Sequence, residues 1–152
     1  MGQINYTGFI DKYPIELVTL IYSDDEVQAV CVYTNVDTPI ELSGKVIRGV
    51  LTLYEKDVFG KNSAVFTFQN FNKRASSIEG TWTNLSNNKD LPVKLDNNYT
   101  IDYEQSYFMK ERKLIQTSSL KDHYFKLVIK KDKNDYGLRV RAVKIIEKKT
   151  AK

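Results

Sequence analysis

The chain has 152 residues, of which 41% are hydrophobic and 28% charged, so it can form one domain, residues 1–152, around a substantial core. With only seven Gly and three Pro, the composition excludes a disordered or low-complexity chain, and no apolar run is long enough for a membrane-spanning helix. The single cysteine, Cys31, excludes an internal disulfide bond and leaves the redox compartment open. We therefore expect a soluble single-domain protein without a transmembrane segment.

The net charge of +4 is unevenly distributed. Residues 121–152 contain eleven Lys or Arg against four acidic residues, whereas the remainder of the chain has a net charge of −3. A basic end can attract nucleic acid, anionic lipid or an acidic protein. Alternating lysines on strands are more often the solvated face of a hairpin, and we favour that interpretation.

The first part of the chain alternates short apolar runs with turns. Ile4–Ile10 opens as a strand, Pro14 interrupts the chain, and Ile15–Tyr22 is rich in β-branched residues and too short for a helix. Ser23–Glu26 is a polar turn of the kind that joins hairpins. Val27–Thr34 is therefore predicted to be the return strand.

The segment Pro39–Leu95 repeats an alternating apolar run followed by a tight polar connection, which predicts an antiparallel meander. The strands predicted within it are Ile40–Val46, Val50–Lys56, Ser63–Phe71, Ile78–Asn84 and Leu91–Leu95. Gly80 stands between Ile78 and Trp82 on one face, which indicates a close backbone approach or a sharp bend. The Gly-Thr-Trp segment is accordingly our predicted corner for sheet closure.

The segment Tyr99–Thr117 is ambiguous. Tyr99, Ile101 and Tyr103 alternate as in a strand, whereas Glu104–Lys113 contains good helix formers. We predict a strand first, followed by either a short helix or an irregular crossing.

A final hairpin, Tyr124–Lys131 and Leu138–Lys148 around a loop at 132–137, brings the total to about ten strands with short connections. The sequence therefore predicts an all-β protein, a single antiparallel meander that closes into an up-and-down, calycin-like β-barrel of about eight to ten strands. A β-sandwich is the alternative. Sequential hairpins favour the barrel, and closure removes exposed strand edges.

The residues that most often carry catalysis or bind metals form no recognisable motif. His123 is the only histidine and Cys31 the only cysteine, so together they cannot form a conventional zinc site. His123 has no neighbouring nucleophile signature, and Cys31 lies in an apolar strand where a small buried hydrophobe is expected. The loop at 132–137 lacks calcium ligands at the required spacing, because Tyr136 and Val143 replace them. We predict no catalytic residues, no metal site and no cofactor.

Ten Tyr, seven Phe and one Trp could stack on bases or sugars, with Arg139, Arg141 and Lys144 holding phosphates beside them. Core packing explains most of the same aromatic residues, because tyrosine can bury its ring while its hydroxyl remains hydrated. Nucleic-acid binding through the basic C-terminal hairpin is therefore a lower-ranked prediction.

Several motifs resemble a pattern found in small exported β-barrel proteins of Gram-negative bacteria, many of them Bacteroidetes. The matching stretches are PIELSG, LTLYEKD, the G-K-x-S-A-x-F-x-F run, EGTWTN and LPVKL, together with YFKLVI and VRAVKIIEKKT near the end. The resemblance covers about two thirds of the chain, and it implies a periplasmic or lipoprotein-type barrel with no catalytic motif to transfer. Met1 and Gly2 directly precede a strand pattern, as in a mature chain whose signal peptide has been trimmed, and a cytoplasmic location stays open.

The function we predict is non-enzymatic recognition of another protein, as by an inhibitor or immunity protein against a secreted hydrolase or toxin. The candidate binding surface consists of Tyr54, Phe59, Lys61, Arg74, Trp82 and Tyr107, and for Trp82 we favour core packing over binding. The alternative is a barrel that encloses a small apolar ligand. Bulky side chains inside the barrel would leave no cavity for such a ligand, and the residues that decide this are Leu51, Leu53, Phe66, Phe68 and Trp82.

Overall fold

The computed structural model describes residues 2–34, 36, 38–102, 109–134 and 139–149, and within these ranges the chain forms eleven β-strands. They are β1 (Gly2–Ile10), β2 (Tyr13–Ile21), β3 (Glu26–Tyr33), β4 (Pro39–Ile47), β5 (Val50–Lys56), β6 (Asn62–Phe68), β7 (Ser77–Asn84), β8 (Lys89–Asp102), β9 (Met109–Ser119), β10 (His123–Lys131) and β11 (Arg139–Glu147).

Strands β1 to β8 form a closed antiparallel barrel in which each strand pairs with the next along the chain. The predicted all-β, up-and-down barrel is confirmed. The barrel closes where β1 pairs with β8, from Gly2 opposite Asp102 to Ile10 opposite Val93. Strand β8 is longer than the predicted Leu91–Leu95, because Lys89 and Asp90 pair with β7 and the residues up to Asp102 pair with β1 across a register shift near Asn98.

Gly80 supplies the close approach that its sequence setting predicts, although barrel closure itself lies at the pairing of β1 with β8. A Cβ atom at Gly80 would meet the Thr67 carbonyl oxygen and would lie 2.6 Å from Cδ1 of Phe68. Because Gly80 on β7 has no side chain, the aromatic ring of Phe68 on β6 can lie directly against it.

Alternation along the strands directs one set of apolar side chains into the barrel. Phe66 and Phe68 are fully buried there, with ring centroids 6.4 Å apart and planes inclined by 12°. Leu51 and Leu53 are also fully buried, and Trp82 packs against this core while remaining half-buried. The five residues that decide between a packed and a hollow barrel therefore all contribute to the packed interior.

Strands β9 to β11 form a separate sheet, in the order β11-β10-β9, which packs against the outside of the barrel wall. Tyr124 and Ile115 from this sheet contact the outward-facing Val18 and Val30 of β2 and β3. The predicted final hairpin is present as β10 and β11.

The expectation of a short helix or irregular crossing after Tyr99 is wrong over Met109–Ser119, which is strand β9. Pairing with β10 and burial of Ile115 against the barrel outweigh the helix propensity of this segment. Residues 103–108 lie outside the described residues.

Candidate functional site

Four of the six predicted binding residues lie at one end of the barrel. In an up-and-down barrel alternate connections share an end, so the β1–β2, β3–β4, β5–β6 and β7–β8 connections form what we call the tip end. Tyr54, Phe59, Lys61 and Trp82 are at this end. Arg74 is exposed in the β6–β7 connection at the opposite end, and Tyr107 lies outside the described residues. The predicted surface is therefore divided, and its larger part surrounds the β5–β6 hairpin.

The connection between β5 and β6 is a tight loop held by one carboxylate. Oδ1 of Asp57 accepts hydrogen bonds from the backbone N–H groups of Phe59, at 2.9 Å, and Lys61, at 3.0 Å. The Asp57 N–H donates to the Lys61 carbonyl, and the Gly60 N–H donates to the Asp57 carbonyl. Gly60 has a φ of +78°, a conformation that glycine adopts without steric cost.

This loop presents two apolar side chains to solvent. Val58 is 94% exposed and Phe59 is 91% exposed, which makes them the two most exposed large hydrophobic residues in the described part of the chain. Single exposed apolar residues are ordinary, but two adjacent ones on a hydrogen-bonded loop form a projecting apolar surface. We call Val58 and Phe59 the apolar tip.

Two open grooves flank the β5–β6 hairpin. The wider groove, of about 870 Å³, lies between β4 and β5. It exists because the pairing of these strands begins at Leu42 opposite Glu55, so that Pro39–Glu41 has no partner on β5. The narrower groove, of about 380 Å³, is bounded by Lys61, Trp82 and residues of the β7–β8 connection.

Glu55 lines both grooves and lies beneath the hairpin. It follows Leu51 and Leu53 on the inward face of β5 and is opposite the buried Leu42 and Ala64. Partial burial raises the pKa of the Glu55 carboxyl group, while the nearby indole N–H of Trp82 acts in the opposite direction. No lysine or arginine of the described chain forms an ion pair with Glu55.

Two aromatic residues accompany this carboxylate. Nε1 of Trp82 is buried without a hydrogen-bond partner among the described residues, so the indole is near Glu55 but lacks hydrogen-bond geometry. Burial, with smaller effects from Cys31 and Glu55, raises the pKa of Tyr33 to about 12. The tip end thus contains a partly desolvated carboxylate and an unsatisfied buried donor close together.

The two residues considered for nucleophilic chemistry do not contribute such a group. Cys31 is buried, and burial raises the pKa of its thiol to about 12, so the nucleophilic thiolate is disfavoured. His123 begins β10 on the outer sheet, lines neither groove, and makes no side-chain hydrogen bond with a described residue. The described ranges also contain no group of three or more His, Cys, Asp or Glu arranged to hold a metal ion.

Sequence reasoning missed Val58 and Glu55. Continuing the alternation of Leu51 and Leu53 by one step would have placed Glu55 on the inner face, where an acidic residue is uncommon. The exposure of Val58 had no comparable signal, because an apolar residue next to a loop is as often covered as exposed.

These features define a class of protein, an all-β chain built on a closed eight-stranded meander barrel with a three-stranded sheet against its wall. No family model matches the chain, and searches of curated proteins and of solved structures find no significant match. In the part of the chain that the structure describes, no helix has the length and apolar character needed to span a membrane. The resemblance to small exported proteins of Gram-negative bacteria stays a prediction.

Proposed function

We propose that this chain is a non-enzymatic protein-binding module whose contact surface is centred on the apolar tip. The observation that carries the proposal is the nearly complete exposure of Val58 and Phe59 on a loop whose backbone donates two hydrogen bonds to Asp57. Burying an exposed Val or Phe side chain contributes about 1.5–3 kcal/mol each. A partner pocket that accepts both side chains would gain this energy at a reduced ordering cost, because hydrogen bonds to Asp57 already constrain the loop backbone.

The surroundings of the tip fit a protein interface better than a small-molecule site. Protein interfaces combine central aromatic anchors with a polar rim. Here Phe59 is the anchor, while Tyr54, Lys61 and the grooves on either side supply the rim. The partner class that we carry forward is a secreted hydrolase or toxin, with this chain acting as its inhibitor or immunity protein in the periplasm or outside the cell.

The packed interior weighs against the alternative of an enclosed apolar ligand. Phe66, Phe68, Leu51 and Leu53 fill the region that such a ligand would occupy. Some of the basic charge on the outer sheet is also neutralised within the chain, since Asp132 pairs with Lys130 at 2.9 Å and with Arg141 at 2.8 Å. This pairing reduces the support for nucleic-acid binding, which depends on free cationic groups.

Site-specific photocrosslinking tests the proposal. A photoreactive phenylalanine analogue placed at position 59 should capture one defined protein from the native host, whereas the same analogue at Lys73, exposed at the opposite end, should not. The captured protein is then purified and its affinity measured directly.

In that assay the double variant Val58→Ser, Phe59→Ser should lose binding. The matched control, Ile145→Ser, removes an exposed aliphatic side chain from β11 and should bind as the unmodified chain does. Equal affinity for the tip variant and the control would show that the tip is not the contact surface.

A further inference from the structure

We infer that the mouth of the barrel around Glu55 and Trp82 is a receptor site for a guanidinium group, that is, for an arginine side chain of the bound protein. The inference rests on the proposed function, because it names the chemistry of the partner that the tip end would recognise. The two grooves form the site, and binding to it can be measured independently of the apolar tip.

Glu55 is partly buried and has no cationic partner among the described residues. A carboxylate that is taken partly out of water and given no counter-ion is unfavourable, and proteins usually pair such a group. Among the described residues no lysine of the groove walls pairs with Glu55: Lys56 is exposed on the outer face of β5, and Lys61 and Lys148 form no ion pair with this carboxylate. Asp57, the neighbouring acid, is engaged by the backbone of its own loop. Glu55 is therefore a partly buried carboxylate at this mouth that has no cationic partner among the described residues.

Glu55 is accessible from outside the barrel. Glu55 is reached from both grooves, so a side chain that enters beside the hairpin can approach the carboxylate without opening the barrel. The absence of pairing between Pro39–Glu41 and β5 keeps the wider entrance open. A packed interior lies below, which limits how far a ligand can penetrate.

The surroundings of Glu55 favour a guanidinium group over an ammonium group. Aromatic rings beside a carboxylate favour a planar, weakly hydrated cation that can stack while it donates hydrogen bonds. Trp82 lines the narrower groove together with Glu55 and provides such a ring. Guanidinium has several N–H donors in a fixed plane and pairs with carboxylates through two parallel hydrogen bonds, whereas ammonium is a compact, strongly hydrated charge.

The single tryptophan makes the site directly observable. Trp82 is the only tryptophan of the chain, so its indole N–H gives one resonance in a ¹H–¹⁵N spectrum. The probe is acetyl-Gly-Arg-Gly-amide, and the matched control is the same peptide with citrulline, which keeps the shape of arginine without its charge. The arginine peptide should shift the indole resonance saturably, and the citrulline peptide should bind about tenfold more weakly, because its hydrogen bonds lack charge assistance.

Variants separate this site from the tip. Glu55→Gln keeps the shape of the side chain and should abolish the response to the arginine peptide, with an unfolding midpoint no lower than that of the unmodified chain. Val58→Ser, Phe59→Ser should retain the response even where it loses the protein partner. Equal responses to the arginine and citrulline peptides, a response that persists in Glu55→Gln, or no response to millimolar arginine peptide would each overturn the inference.

Discussion

The packed interior predicts that truncating Phe66 to alanine will be strongly destabilising. Phe66 is 1% exposed and stacks on Phe68 in the middle of the barrel, where closed walls limit collapse into the vacated space. Removing a buried Phe side chain costs the transfer free energy of the lost atoms plus the cavity term, about 3–5 kcal/mol in total. For a domain of this length each kcal/mol lowers Tm by about 2–4 °C, so Phe66→Ala should lower it by about 6–20 °C.

The matched control is Phe59→Ala, which makes the same chemical change at a side chain that is 91% exposed. Its free energy of unfolding should remain within about 0.5 kcal/mol of the unmodified chain. Thermal and urea unfolding followed by circular dichroism measure both variants, and equal m-values confirm a common denatured state. A loss below about 1 kcal/mol for Phe66→Ala would mean that the interior is not closely packed, and would restore the enclosed-ligand alternative.

Three further predictions concern the tip end and the wall. Because burial raises the pKa of Glu55 in the folded state, the folded state loses stability relative to the unfolded state as pH rises from the ordinary pKa of glutamic acid through the raised one. Glu55→Gln, which cannot ionise, should therefore gain stability relative to the unmodified chain over that rise, and a urea-midpoint difference that is the same at acid and neutral pH would contradict this. Asp57→Ala removes the acceptor for two backbone N–H groups and should cost about 1–2 kcal/mol, with faster amide exchange at residues 59 and 61 but unchanged exchange in β1. Gly80→Ala forces a Cβ atom against Phe68 and should destabilise by about 1–3 kcal/mol, whereas Gly2→Ala, which makes an ordinary 3.5 Å contact, should not; similar unfolding midpoints for the two would refute the close-approach argument.

The barrel was predictable because its signal is local. Period-two alternation in the Pro39–Leu95 segment places Leu51, Leu53, Phe66 and Phe68 on inner faces, and the structure has them there. Short polar connections between these runs indicate which strands are neighbours in an up-and-down arrangement.

Strand β9 was not predictable from its own residues. Its residues favour a helix locally, whereas pairing with β10, which follows it in the chain, imposes the strand conformation. The position of the three-stranded sheet depends on long-range packing, in which Tyr124 contacts Val18 and Val30 on the barrel wall. No local pattern in the sequence specifies that contact.

The candidate site was predictable only in part. Phe59 and Lys61 follow from the position of a loop between two alternating runs, and Trp82 joins them because β7 ends beside β6. Arg74 belongs to the opposite end, since the β6–β7 connection returns the chain there. Which connections share an end is a property of topology, so it becomes known only when the strand order is known.

The pairing of β1 with β8 also constrains how the protein can be synthesised. Strand β1 leaves the ribosome before the other strands of the barrel, but its second neighbour, β8, is complete only when Asp102 has been added. Until then β1 and the most recent strand both present unpaired N–H and C=O groups, which are able to pair with other nascent chains. The pairing of β1 with β8, which completes the barrel, thus joins the strands that are farthest apart in its sequence. Conditions that slow elongation before residue 102 should therefore increase intermolecular strand pairing at these two edges.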